Sequence, residues 1–139
     1  MSSTARRTEA YVDTSALIAF ADSSDSHHPL FRRLFSVPPP LVTTPLVIAE
    51  GQAWFLKRFD RHRGLQFLSM VESFPLKVIA IGTEDLQAAA DVLRRFSDQD
   101  LTVVDACGLV LMGSRRSGVC WSTDFHLRLT GVPLVVDGP

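Results

Sequence analysis

Four carboxylates stand among apolar neighbours that give them no evident reason to be there. Asp13 closes the run Ala10-Tyr11-Val12, and Glu50 follows Leu46-Val47-Ile48-Ala49. Asp105 sits inside Leu101-Thr102-Val103-Val104-Asp105-Ala106, and Asp124 comes directly after Val119-Cys120-Trp121-Ser122-Thr123. Carboxylates are seldom fully buried unless paired or metal-bound. One such acid means little, because strand-end aspartates often cap loops. Four, each at a strand end or early in a helix, form a pattern. Like charges held together cannot all stay ionised without a cation, so either their pKa values rise or a metal sits among them. A donor set made of oxygen alone points to Mg2+ or Mn2+ rather than zinc.

What must position these acids is a series of alternating strands and helices. Residues 10–12 read as a strand, 15–22 as a helix and 29–35 as a second helix, ended by Pro38-Pro39-Pro40. Proline disfavours helical geometry in the residue before it. Residues 41–43 suggest a strand. Thr44-Pro45 then supplies an N-cap and a proline at the first helical position, opening a helix to about residue 59. Another helix covers 61–72, and 76–80 reads as a strand. In the helix predicted over 84–96, Leu86, Ala89, Ala90, Leu93 and Phe96 recur at spacings of three and four, giving one apolar stripe. Thr102 caps a helix running to about residue 117, with Gly118 as its stop. Residues 119–122 and 134–136 complete the strands. Such alternation implies a parallel sheet covered on both faces. The fold class is therefore α/β, a three-layer α/β/α sandwich around a short, mostly parallel central sheet.

In open parallel sheets, ligands sit beyond the carboxyl ends of the strands. Asp13 and Asp124 lie at such ends. Asp105 falls at the third position of its helix if Thr102 is the cap, where negative charge is favoured. Glu50 is in the second turn of its helix, and its side chain leans back toward the N-terminus. All four can converge on one end of the sheet.

The chain has 139 residues, 46% apolar and 21% charged, and is expected to form a single domain over 1–139, with 1–9 read as a flexible N-terminal extension. No apolar run approaches the length of a membrane span, and the polar start lacks a signal peptide's apolar stretch, so a cytoplasmic protein is expected. Cys107 and Cys120 make neither a disulfide framework nor a metal cluster. A net charge of −1 argues against an overall basic nucleic-acid binder. Setting the four acids aside, however, leaves 11 acids against 14 bases, twelve of them arginine.

The ordered set Val12-Asp13-Thr14-Ser15, Glu50, Leu101-Thr102-Val103-Val104-Asp105-Ala106 and Ser122-Thr123-Asp124-Phe125-His126 resembles the PIN-domain nucleases, and among them the small stand-alone proteins that act as VapC-type toxins. The resemblance runs from about residue 10 to residue 136. It implies a PIN-like sandwich, a Mg2+- or Mn2+-dependent endoribonuclease acting on RNA, a homodimer, and inhibition by a cognate antitoxin. The family's acidic positions map onto Asp13, Glu50, Asp105 and Asp124, and its small hydroxyl positions onto Ser15 and Thr123 as substrate-binding residues. Phe125 and Leu127 depart from the pattern around His126, which bears on the surface beside the last acid. The first nine residues also precede the usual start of such chains.

The expected chemistry is metal-assisted hydrolysis of a phosphodiester. Asp13 and Asp105 are the first choice as direct ligands. Asp124 binds metal or orients water, and Glu50 binds through water or helps deprotonate the nucleophile. Plainer readings stand beside these. Asp13 and Asp124 can cap turns, Thr102 and Asp105 match a capping box, and Glu50 can be an exposed helix residue. Asp100 reads as solvated, and His126 as a surface residue or a support to the ligands. Trp54, Phe55 and Phe59 read as core or dimer contacts, and Cys107 and Cys120 as small buried apolar residues. A haloacid-dehalogenase-type phosphatase needs a second aspartate where Ser15 stands and a late lysine, and the only lysines are Lys57 and Lys77. A receiver-like module lacks its paired early acids for the same reason. A degenerate PIN domain that binds RNA or protein without cutting is the remaining alternative.

Overall fold

The computed structural model describes residues 8–138. The expected N-terminal extension therefore falls almost wholly outside the described residues. Within them the strands β1 (Ala10–Val12), β2 (Leu41–Thr43), β3 (Leu76–Val78) and β4 (Val119–Trp121) form one sheet in the order β3-β2-β1-β4. All three pairings are parallel, with Tyr11 opposite both Val42 and Cys120. The helices are α1 (Thr14–Ala21), α2 (His28–Leu34), α3 (Pro45–Arg58), α4 (Arg61–Ser73), α5 (Thr83–Arg95) and α6 (Val103–Arg115). The short central sheet flanked by these helices is the expected α/β/α sandwich. None of them is long and apolar enough to cross a membrane.

The sheet centre is the core. Every residue of β1 and β2 is buried, as parallel strands covered on both faces require. β3, at the edge, is largely exposed. Phe20, Phe35, Phe74 and Trp121 interlock on one side, Phe35 stacking on Phe74 at 4.6 Å and meeting Trp121 edge-on at 4.9 Å. On another side Tyr11 lies against Gly108 of α6, where an added Cβ would stand 2.8 Å from the Tyr11 Oη. Two details depart from the sequence reading. Residues 134–136 form no strand: Leu134 makes one bridge to Cys120, and Val135–Asp137 then close a 3-10 turn. The Asp137 side chain accepts from the Leu134 N–H (3.3 Å), which bends the chain out of the sheet. α6 reverses at Arg116 (φ 51°, ψ 47°) rather than at Gly118, whose N–H donates instead to the Glu9 carbonyl beside the sheet.

Candidate active site

β1 and β4 end side by side because the Asp13 N–H continues their ladder to the Trp121 carbonyl (3.0 Å). That places Asp13 beside Ser122, 109 residues later in the chain. Asp13 is the N-cap residue of α1, yet its side chain makes no capping bond there. Its Oδ2 accepts instead from Ser122 Oγ (2.9 Å) and Ser15 Oγ (3.1 Å). The Ser122 Oγ also accepts the Asp124 N–H (2.9 Å), and the Ser15 Oγ accepts the Thr123 N–H (3.0 Å). Two hydroxyls thus tie the end of β1 to the loop that carries Asp124. Ser122 is fully buried, and although it opens the last motif, the sequence points to Thr123 for the hydroxyl role instead.

Asp105 opens α6. Thr102 Oγ1 accepts the Asp105 N–H, and Asp105 Oδ2 accepts the Thr102 N–H, each at 3.1 Å. The capping box is therefore real, and it employs only one carboxylate oxygen. Glu50 projects from the second turn of α3, begun by Thr44, whose Oγ1 accepts the Val47 N–H. Asp124 caps the 3-10 turn Phe125–His126-Leu127-Arg128 through Oδ1, which accepts the His126 N–H (3.0 Å).

Asp13, Glu50, Asp105 and Asp124 all line one cleft of about 390 Å³, together with Ser15, Trp54 and Thr102. Thr123 is not among its lining residues, and its backbone N–H is its link to the site. His126 comes closer than expected. Its ring nitrogen lies 3.1 Å from Asp124 Oδ1, and a donor atom from each of Asp105, Asp124 and His126 falls within 4.8 Å of the others. The sequence signal for it was only adjacency to the last acid. His27 and His28 stay apart: the His28 ring bonds the Ala19 carbonyl and His27 faces Asp25.

The electrostatics are those of an acid pocket without a counter-charge. Among the described residues no Lys or Arg forms an ion pair with any of the four acids. Asp13 is 5% exposed, and burial, with the Asp105 charge adding to it, pushes its carboxyl up to about 6. Hydrogen bonds from Ser122, the Thr14 N–H and Ser15 hold it back from rising further. Hard carboxylate oxygens, unpaired and sharing one cleft, suit a divalent cation of the Mg2+ class.

A family model described as the PIN domain matches residues 10–131. The chain belongs to the PIN domain family. Among curated proteins, ribonuclease VapC26 of Mycobacterium tuberculosis is 25% identical over 114 residues, covering 81% of this chain and 84% of that protein. Among solved structures, VapC20 of the same organism, described as a sarcin–ricin loop cleaving toxin, superposes with a TM-score of 0.81 at 21% identity, over 88% of this chain and 95% of that one. A toxin–antitoxin complex from Klebsiella pneumoniae aligns with a TM-score of 0.60 at 18% identity, over 89% and 92%. VapBC2 of Rickettsia felis, bound to a DNA fragment from its promoter, aligns at 0.62 and 9% identity, over 91% and 96%. These structures share the PIN fold, whose strands and helices here bring the four acids to one cleft.

Proposed function

We propose that this PIN domain is a Mg2+- or Mn2+-dependent endoribonuclease that hydrolyses RNA phosphodiester bonds, and that it is the toxin of a cytoplasmic toxin–antitoxin pair. The observation that carries the reading is the cleft in which Asp13, Glu50, Asp105 and Asp124 meet, with no Lys or Arg among the described residues paired to any of them. The ribonuclease VapC26 likeness supports RNA as substrate, and the toxin–antitoxin complexes among the structural neighbours support a cognate antitoxin. A homodimer is the expected assembly.

Asp13 and Asp105 hold the cation, with Asp124 and Glu50 beside them. When bound, the ion supplies Lewis acidity, making water nucleophilic at neutral pH and neutralising charge that gathers on the phosphate. Ser122 and Ser15 fix the Asp13 carboxylate through two hydrogen bonds and so set its direction before any ligand arrives. Glu50, exposed at the cleft wall, is free to take a proton from attacking water. His126 steadies Asp124, Ser15 lines the path of the phosphate strand, and Thr123 supports Ser15 there through its backbone N–H.

The test is to incubate the purified protein with structured RNAs and Mn2+ beside Asp13→Ala and Asp105→Ala. Cleavage by the wild type alone is expected. Equal cleavage by the variants overturns the site, and no cleavage of any RNA overturns the nuclease reading.

A further inference from the structure

Glu50, Trp54 and Arg58 form a single stripe on α3, each one turn, about 5.4 Å, beyond the last. The stripe begins inside the acid cleft, since Glu50 and Trp54 both line it. It leaves the cleft through a stack of rings and guanidinium groups. Arg58 Cζ stands 5.3 Å above the Trp54 ring and 5.9 Å from that of Phe59. Arg63, reaching over from α4, stands 4.2 Å above Phe59, which is 42% exposed. Among the described residues neither arginine forms a contact ion pair, although both lie near enough to Asp22 to help hold its carboxyl below the usual range.

We infer that Trp54 and Arg58 form a subsite for an unpaired nucleotide next to the scissile phosphate, Trp54 stacking its base and Arg58 meeting its phosphate. This rests on the ribonuclease reading and specifies which form of RNA the cleft takes. Asp13 lines the cleft and is only 5% exposed, which favours a phosphate on a strand free to bend toward it. A base splayed out of a helix needs a face to lie on, and aromatic rings supply one without regard to base identity. Cationic groups beside the ring then hold the backbone. A stripe meant for an apolar protein partner would not need two guanidinium groups over its rings. Trp54 is a positioning residue here, acting on the strand rather than on the reacting atoms.

The experiment uses full-length protein carrying Asp13→Asn, in EDTA, so that binding is read apart from cleavage. Anisotropy of a labelled, short, unpaired oligoribonucleotide and of a blunt RNA duplex is measured for this protein and for its Trp54→Leu, Trp54→Phe and Arg58→Ala derivatives. Trp54→Leu is expected to weaken single-strand binding by roughly five- to 150-fold, with little change for the duplex. Trp54→Phe should recover most of that loss, which a merely structural role would not predict. Arg58→Ala should weaken binding and flatten its salt dependence. In the cleavage-competent background, Trp54→Leu should raise KM more than it lowers kcat. Unchanged single-strand affinity in a folded Trp54→Leu protein overturns the inference, as does an equal loss for the duplex. Intact RNA binding with dissociation of a dimer overturns it too, assigning the stripe to protein contact. Failure of the nuclease reading shows separately, as a wild type that cuts nothing with Mn2+.

Discussion

Asp13→Asn should make the metal-free protein more stable while removing its activity. A buried carboxyl whose pKa climbs from an ordinary 3.8 to about 6 is costly to ionise in the fold. At about 1.4 kcal/mol per tenfold change, that cost comes to about 3 kcal/mol once the pH is well above 6. Asparagine carries no charge and keeps an oxygen to accept from Ser122 and Ser15. It loses the strengthening that a charged acceptor gives those bonds, about 1 kcal/mol. The net gain is about 2 kcal/mol at neutral pH, a rise in melting temperature of roughly 5–10 °C for a chain of this size.

The sign follows from linkage. Below about 3.8 the carboxyl is protonated in the folded and unfolded chain alike, so wild type and variant should melt together. As pH rises through about 6 the folded wild type is forced to ionise a group that burial disfavours, and its stability falls relative to the variant. Thermal melts followed by circular dichroism in EDTA, from pH 4 to pH 8, read the difference directly. Adding Mn2+ should reverse the order, since a ligand at 100 times its dissociation constant contributes about 2.7 kcal/mol, and only wild type retains the full ligand set. A variant no more stable than wild type at pH 7.5 without metal, or a gain that persists unchanged at pH 4, would refute the account of Asp13 as a charge held in readiness.

Three further expectations concern the frame around it. Ser122→Ala removes the donor to Asp13 and the acceptor of the Asp124 N–H, so calorimetric titration with Mn2+ should show affinity falling roughly 10–100-fold. Gly108→Ala puts a methyl 2.8 Å from Tyr11 Oη and 3.0 Å from its ring carbons; denaturant melts should show a net loss of about 1–2 kcal/mol, overpacking outweighing the gain in helix propensity. Glu9→Gln removes the charge and one of the two acceptors that Arg115 meets, at 2.9 and 2.8 Å, a donation that holds the Glu9 carboxyl below its usual value. That contribution is present above the ordinary carboxylate range and lost as pH falls through the lowered pKa. Melts should therefore separate the two proteins by at most about 1 kcal/mol at pH 7 and bring them together as pH falls below the lowered Glu9 pKa.

Local signals were legible in the residues and distant ones were not. Thr44-Pro45 and Thr102 with Asp105 mark the starts of α3 and α6 because a cap is made within three residues of itself. The four acids were legible because a carboxylate amid apolar neighbours is conspicuous wherever the chain later folds. The role of Ser122 was invisible for the opposite reason: serine at a strand end is ordinary, and that role exists only once β4 lies beside β1. Residues 134–136 misled because an apolar run carries no mark of whether a strand will accept it. Asp137, just beyond, decided the outcome by capping Leu134. Gly118 was the obvious stop for α6, but its N–H is claimed by Glu9, so the left-handed turn falls to Arg116.

The choice of serine rather than lysine around Asp13 bears on why the acids are there. An ammonium or guanidinium group would neutralise the buried carboxylate more fully, yet it would stand where a cation must bind and would leave the pocket without a net charge to attract one. Hydroxyl donors lower the cost of ionisation without adding charge, so the carboxylate stays directed and partly unsatisfied. On the proposed reading a bound ion would relieve that residual cost, coupling metal affinity to the cost of ionising Asp13 in its absence. The same division explains a chain of net charge −1 that handles a polyanion. The acids are drawn into one recess, while the arginines of α3 and α4 stay outside it over their aromatic rings. On the proposed reading, a phosphate would meet guanidinium first and reach the carboxylates through a cation bound among them.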